Sequence, residues 1–216
     1  MEQLSSFKVR YTLVGDGGGT GEIAIDNNKD VYYQHHTTAA GESDLLVRGS
    51  GNYQRGAIVA QSMGDPNFWD MPPGSDFNNT WIPVPPGGDP LTELVSSDPL
   101  FVLMLYRDSF VNVSEGPSTS VEGRQGNTFY ADVDSSRLLA ELSARAPEVA
   151  SGATVEDMAN MYPLTVEIVV GDDGLVYQTR GTSVGGIIAG ESTNIFYDFD
   201  EPIEYPEPVP SFNPWN

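Results

Sequence analysis

Gly181-Thr182-Ser183-Val184-Gly185 has the G-x-S-x-G spacing of a nucleophile elbow, in which a sharp turn lifts a serine hydroxyl toward a histidine base. That chemistry needs a helix directly after the serine, and an acid and a histidine later in the chain. Here Gly185-Gly186-Ile187-Ile188 leads into another strand pattern, and His35 and His36 both lie upstream, so a glycine-rich hairpin loop is expected instead. Gly19-Thr20-Gly21-Glu22-Ile23-Ala24 fits the loose dinucleotide fingerprint after a strand, but Ile23 to Ile25 continue as strand where a phosphate site needs a helix N-terminus. His35 and His36 are neighbours, and neighbouring strand residues point to opposite faces, so they do not share a metal in regular β geometry. Asp26, Asn28 and Asp30 imitate the opening of a calcium loop, yet Val31 stands in the glycine position and Thr37 in that of the bidentate glutamate. The pairs Asp132 with Asp134 and Asp198 with Asp200 are similarly short of ligands. A weak surface calcium site stays open beside the default of solvated turn and cap carboxylates; no metal, cofactor or catalytic residue is assigned, and no enzyme activity is expected.

The composition narrows the classes further. With 31 acidic and ten basic residues the chain carries a formal charge of -21, which repels phosphate backbones and anionic membrane surfaces, so nucleic acid is not an expected partner. Lys8 and Lys29 are the sole lysines, which suits a salty or extracytoplasmic setting. Cysteine is absent, excluding disulfides, thiolate metal sites and a cysteine nucleophile from these residues. Hydrophobic residues make up 39%, enough for a core, and no apolar run reaches transmembrane length. An export signal removed ahead of residue 1 is an expectation that the full gene would test. The high charge favours a monomer at low salt.

These candidate residues are set on a strand-rich chain. Residues 7–14 alternate Phe7, Val9, Tyr11 and Leu13 with Lys8, Arg10 and Thr12, the period of a half-buried strand. Strands are predicted at 22–25 and 31–37 around the Asn27-Asn28 turn, then at 45–48, 52–55, 57–62, 67–71 and 80–84, with no helix in the first hundred residues. Asp98-Pro99 predicts an N-cap and first helical residue for an all-round apolar helix reaching Tyr106. Strands follow at 110–113, 119–122 and 128–133, and Asp134 or Ser135 starts a helix through Leu138, Leu139 and Leu142 that Pro147 ends. Thr154 with Asp157 marks a capping box for a short helix through Met158 and Met161. A hairpin is predicted for 164–170 and 175–180 around Gly171-Asp172-Asp173-Gly174, then a long strand at 187–199 and a ladder-free tail spaced by Pro202, Pro206, Pro208, Pro210 and Pro214. The fold class expected is α+β, mainly antiparallel β: a large curved half-barrel sheet with two or three inserted helices acting as a lid. The expected organisation is a single domain over 1–205 and an extended acidic, aromatic tail over 206–216.

In this order of pieces the chain resembles the unclosed β-barrel of the lipoprotein carrier LolA and the related LppX/LprG-type lipoproteins. The residues that carry the resemblance are the Thr80-Trp81 strand, the Asp98-Pro99 helix, and Val121-Glu122-Gly123 with Tyr130-Ala131-Asp132-Val133 feeding a leucine helix. The closing segment is the most specific: Val166-Glu167-Ile168-Val169-Val170, Gly171-Asp172-Asp173-Gly174-Leu175, then Tyr197-Asp198-Phe199-Asp200-Glu201-Pro202-Ile203-Glu204. The resemblance spans roughly residues 5–205 and holds no catalytic signature, so it bears on fold more than on function. The lipid-anchoring cysteine of the family is absent from these residues, and the tail runs past the family's usual end.

The resemblance implies an extracytoplasmic, lipid-anchored protein whose curved sheet, lidded by helices, holds acyl chains. Most of the large apolar side chains, including Phe68 and Trp69, are core packing under any function. The family reading assigns Phe7, Val9, Tyr11 and Leu13 to the cavity lining, with Tyr33 and Trp81 beside them. It adds Phe101, Leu103 and Met104 from the lid helix, and Phe110, Phe129, Leu138 and Leu139 from the segments after it. Two functions compete: binding or transport of a lipid or acylated molecule, and a non-enzymatic interaction or sensor module with a filled core. In the second, Tyr205, Phe212 and Trp215 of the tail dock a partner such as an envelope protein.

Overall fold

A computed structural model describes residues 4–15, 18–48, 51–57, 59–60, 76–83, 104–183 and 190–208. Among them lie strands β1 (Ser6–Gly15), β2 (Gly19–Asp26), β3 (Val31–Thr38), β4 (Gly41–Arg48), β5 (Gly51–Gly56) and β6 (Ile82–Pro83). After these come β7 (Phe110–Val121), β8 (Arg124–Val133), helices α1 (Ser135–Arg145), α2 (Pro147–Ala150) and α3 (Val155–Met161), and strands β9 (Thr165–Gly171), β10 (Val176–Ser183) and β11 (Gly190–Tyr197). The strands form one unclosed 11-stranded sheet in the order β6-β5-β4-β3-β2-β1-β11-β10-β9-β8-β7. Pairing is antiparallel from β2 to β6 and from β7 to β11. The expected α+β, mainly antiparallel fold with helices inserted between strands is therefore the one found.

The chain divides into two compact units. A helix-bearing unit contains residues 11–18 and 89–196, and a meander unit contains residues 2–10, 19–88 and 197–216. In the helix-bearing unit the β7–β8 hairpin closes through Glu122 (φ 49°) and Gly123 (φ 84°), the two left-handed residues that match the twist of paired strands. Asp134 caps α1 by accepting from the backbone N–H groups of Ser136 at 2.9 Å and Arg137 at 3.1 Å. Thr154 and Asp157 form the capping box of α3, and their hydrogen bonds hold the Asp157 carboxyl below its ordinary range. Pro147 ends α1 as expected and also opens α2.

Several expected boundaries shift for local reasons. Residues 57, 59 and 60 are helical instead of strand, which also corrects the expectation of no helix in the first hundred residues. The cause is Gly56, whose φ of 99° turns the chain out of β5 while its N–H goes to the Phe77 carbonyl at 2.6 Å. The strand expected at 80–84 shortens to Ile82–Pro83, because the Thr80 N–H is used in a turn with the Asp76 carbonyl and Pro83 has no N–H to give. The strands expected at 110–113 and 119–122 are one strand, β7, that absorbs Asn112 (φ 52°) and register shifts. Pro117 fits because β7 is a sheet edge and has no outer ladder to supply. The last strand stops at Tyr197, where Asp198 adopts a φ of 50°. Residues 104–107 are helical, the end of the helix expected up to Tyr106; its start, the strand expected at 67–71 and the side chains of Phe68, Trp69, Phe101 and Leu103 lie outside the described residues.

Candidate functional site

The helix-bearing unit holds an extensive apolar cluster. Phe129 pairs with Ile168 and Ala131 with Val166, and directly paired residues of an antiparallel ladder project to the same side. Period-2 alternation therefore gathers Val133, Val166 and Ile168 on one face, with Phe110, Val170 and Val176 packed against them. Helical spacing does the same for the cover: Leu138 and Leu142, four residues apart on α1, are 1% and 2% exposed, and Met158 of α3 is 1% exposed. Leu105, Tyr106 and Tyr162 complete the layer. Burying each such side chain contributes about 1.5–3 kcal/mol.

Little in this layer is polar. Ser109, fully buried, donates its hydroxyl to the Leu105 carbonyl at 2.8 Å. Tyr106 meets Phe110 in a stacked pair and Tyr162 edge-on, and burial pushes the hydroxyl pKa values of both tyrosines upward. Among the described residues no buried side-chain polar atom lacks a hydrogen-bond partner. The layer is thus built of hydrocarbon and aromatic side chains packed on one another, each at most 9% exposed.

Among the residues assigned from sequence, Leu138 lies inside this layer, and Leu139 and Phe110 pack on it. Phe129 is half-buried on the same side of the ladder as Ile168, and Met104 is half-buried on the helical turn at 104–107. Tyr11 is buried and Leu13 half-buried on β1. The others are not brought into one set. Tyr33 and Trp81 pack with Val31, Leu46, Tyr53 and Tyr205 in the meander unit. Lys8 and Arg10 lie over the Tyr197 ring, whose hydroxyl donates to Glu22, and Glu22 pairs with His35. Lys8, Arg10, Glu22 and His35 thus share the face of Tyr33, and alternation puts Phe7 and Val9, both fully buried, on the opposite one. Leu105, Tyr106, Leu142, Met158, Tyr162, Val166 and Ile168 were not assigned, although helical spacing of Leu138 with Leu142 and alternation of Val166 with Ile168 carry the signal.

The meander unit adds a polar cluster that has no sequence motif. Asp44 of β4 accepts from the Tyr33 hydroxyl and from Nδ1 of His35, both at 2.8 Å to Oδ1, and from Nε of Arg55 at 2.6 Å to Oδ2. Burial alone would raise the Asp44 carboxyl, but the bonds from His35, Tyr33 and Arg55 outweigh it and hold it below the usual carboxylate range. Burial, with the bond to Asp44, pushes the Tyr33 hydroxyl upward. Arg55 in turn stacks 4.7 Å from the Trp81 ring centre. The cluster thereby fixes the orientation of two aromatic side chains, Tyr33 directly and Trp81 through Arg55.

The motif residues have structural employment. Ser183 ends β10 in register with Gly190 of β11, and its hydroxyl donates to the Gly190 carbonyl at 3.4 Å. Gly181 is required by packing, since a Cβ there would lie 2.6 Å from Cγ of Pro163. Gly19 admits the neighbouring strand, a Cβ there falling 2.4 Å from the Thr37 carbonyl oxygen, and strand continues through Ile23. Of the acidic residues considered as calcium ligands, Asp26 pairs with Lys29, Asp198 with Lys8, and Asp200 with Ser5; Asp132 accepts from Asn112 and Thr165. Among the described residues no group of three or more His, Asp and Glu could hold a metal ion. No helix among them is long and apolar enough to cross a membrane.

No protein family matches the chain by sequence, and no curated protein does. Solved structures do. The chain is similar to the lipoprotein LppX of Mycobacterium tuberculosis at 12% identity and a TM-score of 0.54, over 94% of this chain and 90% of that one. It is similar to LprF of Mycobacterium bovis at 10% identity and a TM-score of 0.52, over 96% and 90%. At such identity the likeness concerns the fold, and the fold implied by the sequence resemblance is the fold found.

Proposed function

We propose that this chain, with the fold it shares with LppX and LprF, is an extracytoplasmic lipoprotein-type domain that binds or transports a lipid or acylated molecule. The observation that carries the reading is the helix-covered layer of Leu105, Tyr106, Leu138, Leu142, Met158 and Ile168, a buried apolar cluster, with no buried side-chain polar atom left unpartnered among the described residues. A hydrocarbon chain lying against it gains about 0.8 kcal/mol for each methylene buried, and no catalytic group is needed. Likeness to LppX over 94% of the chain supports one domain spanning both units, as the sequence suggested for 1–205. In this reading the cavity lining joins Phe110, Phe129, Leu138 and Leu139 to Met104 of the helical turn at 104–107, and the protein acts as a monomer.

Displacement of a fluorescent acyl probe tests it. The intact chain binds the probe saturably, and Leu139→Asp, at a half-buried position beside the layer, weakens binding at least tenfold while the far-ultraviolet spectrum is retained. Probe binding that is absent, or unchanged in a folded Leu139→Asp variant, contradicts the reading.

A further inference from the structure

Residues 203–208 lie against the meander unit in the manner of a ligand. Among the described residues no backbone hydrogen bond joins this segment to a strand, and β11 ends at Tyr197. Pro206 and Pro208 lack the donors that a ladder would need, and a residue before proline, such as Tyr205, is held extended. What holds the segment is side-chain chemistry. Tyr205 packs against the patch of Val31, Leu46 and Trp81, flanked by Tyr33 and Tyr53. Lys29 stands 5.6 Å from the centre of the Tyr205 ring, on the side of the turn between β2 and β3. Arg48, which pairs with Val31 across the ladder, takes the Glu207 carboxylate at 2.6 Å, and Ile203 is buried.

The patch has the parts of a site for proline-rich segments: an aromatic wall, a pocket for one large side chain with Lys29 over its ring, and Arg48 placed to take an acidic residue beyond it. Its walls are fixed independently of the segment, because Asp44 holds the Tyr33 hydroxyl directly and the Trp81 ring through Arg55. In a chain of net charge -21, Lys29 and Arg48 beside one apolar patch favour an acidic segment over a neutral one.

We infer that the patch of Val31, Leu46 and Trp81 is a peptide-recognition groove for extended acidic segments in which a tyrosine precedes a proline, occupied in cis by residues 203–208. An external partner segment of that chemistry competes with the chain's own. This groove is independent of the lipid reading and lies wholly in the meander unit.

The test uses the chain ended after Glu201 and a labelled synthetic peptide of residues 200–210, followed by fluorescence anisotropy. The truncated chain binds the peptide saturably. Tyr205→Ala in the peptide, or Arg48→Glu in the protein, weakens binding at least tenfold, and the intact chain binds at least tenfold more weakly because its groove is filled. A folded truncated chain that shows no saturable binding, or binds the Tyr205→Ala peptide equally well, overturns the proposal. As a second measurement, a protease site is inserted between Glu201 and Pro202 of the intact chain. After cleavage the severed segment exchanges for labelled peptide while the circular dichroism is unchanged; loss of the fold on cleavage makes the segment part of the core and overturns the groove.

Discussion

The two units cover their sheets by different means. In the helix-bearing unit Leu138, Leu142 and Met158 descend from capped helices onto Val166 and Ile168, and the polar groups of the layer are few and locally satisfied. In the meander unit one patch is covered by an irregular, proline-spaced segment, and its aromatic side chains are set by a shared carboxylate, Asp44. A helix satisfies its own backbone and can cover a sheet with hydrocarbon alone, whereas an extended segment must be recognised side chain by side chain. The two proposals follow that difference, one placing hydrocarbon against the helices and the other placing peptide against the polar-framed patch.

The contrast breaks most sharply at Leu138. Leu138→Asp places an unpaired carboxylate in a site that is 1% exposed and lowers stability by about 4 kcal/mol. Trp81 lies in the meander unit, so in a background with Trp69 and Trp215 replaced by phenylalanine its fluorescence reports that unit, while far-ultraviolet dichroism near the helix bands reports the other. The helix signal is expected to melt first in this variant; equal displacement of both signals would mean that the units unfold together and would dissolve the comparison. Next in size is Asp44→Ala, which strips Tyr33, His35 and Arg55 of their common acceptor and costs about 2 kcal/mol, read chiefly by tryptophan fluorescence in a denaturant titration. Asp134→Ala removes the α1 cap at a cost of about 1 kcal/mol and acts on the helix signal alone.

Acid distinguishes the meander unit further. Burial, and then the neighbouring His35, lower the pKa of His36 below the ordinary histidine value of 6.5, so the unfolded chain takes up a proton that the folded chain resists. The stability from neutral His36 is present above pH 6.5 and is lost as pH falls below it. Asp44, with a folded pKa below the ordinary aspartate value of 3.8, adds stability that is present above that value and is lost as pH falls toward the folded pKa. In denaturation midpoints measured between about pH 7.5 and 5, His36→Gln therefore shows a shallower acid loss than the parent. Parallel pH profiles for the two would remove His36 from the account. The smallest effect is expected from Ser183→Ala, within about 0.5 kcal/mol of the parent in stability and equal to it in acyl-probe binding, since the hydroxyl's bond to the Gly190 carbonyl is long, at 3.4 Å. A loss of ligand binding there would return the serine to the functional set.

What was legible in the sequence was what local chemistry determines. The alternation of Phe7, Val9 and Tyr11, the Asp134 cap, the Thr154–Asp157 box and the hairpin around 171–174 depend on neighbours within a few residues, and each formed as its pattern requires. Gly56 escaped notice because its consequence, a turn into helix, depends on the Phe77 carbonyl twenty-one positions away. β7 was broken in two because Pro117 argues against a strand unless its edge position is known. The site was partly legible for a related reason. Size and apolarity picked out Tyr33 and Trp81 together with Phe7 and Val9, but only the contacts of Lys8 and Arg10 with Tyr197, and of Tyr197 with Glu22 opposite His35, show that Phe7 and Val9 project away from the face of Tyr33. The Asp44 cluster joins residues of β3, β4 and β5 that share no spacing rule in one dimension, and Tyr205, read as a free aromatic for a partner, is already engaged within its own unit. Phe212 and Trp215 lie outside the described residues.

Native mass spectrometry of the purified intact chain, followed by organic extraction of the same sample, bears most directly on the central claim that the helix-covered face binds a lipid. The account predicts a mass increment for one apolar molecule per chain that extraction removes and identifies, and that reloads from lipid micelles. A chain that flies at its bare mass, yields no lipid on extraction and does not load from micelles would contradict it, leaving the helix-covered layer as a filled core and the tail-covered groove as the working surface of the protein.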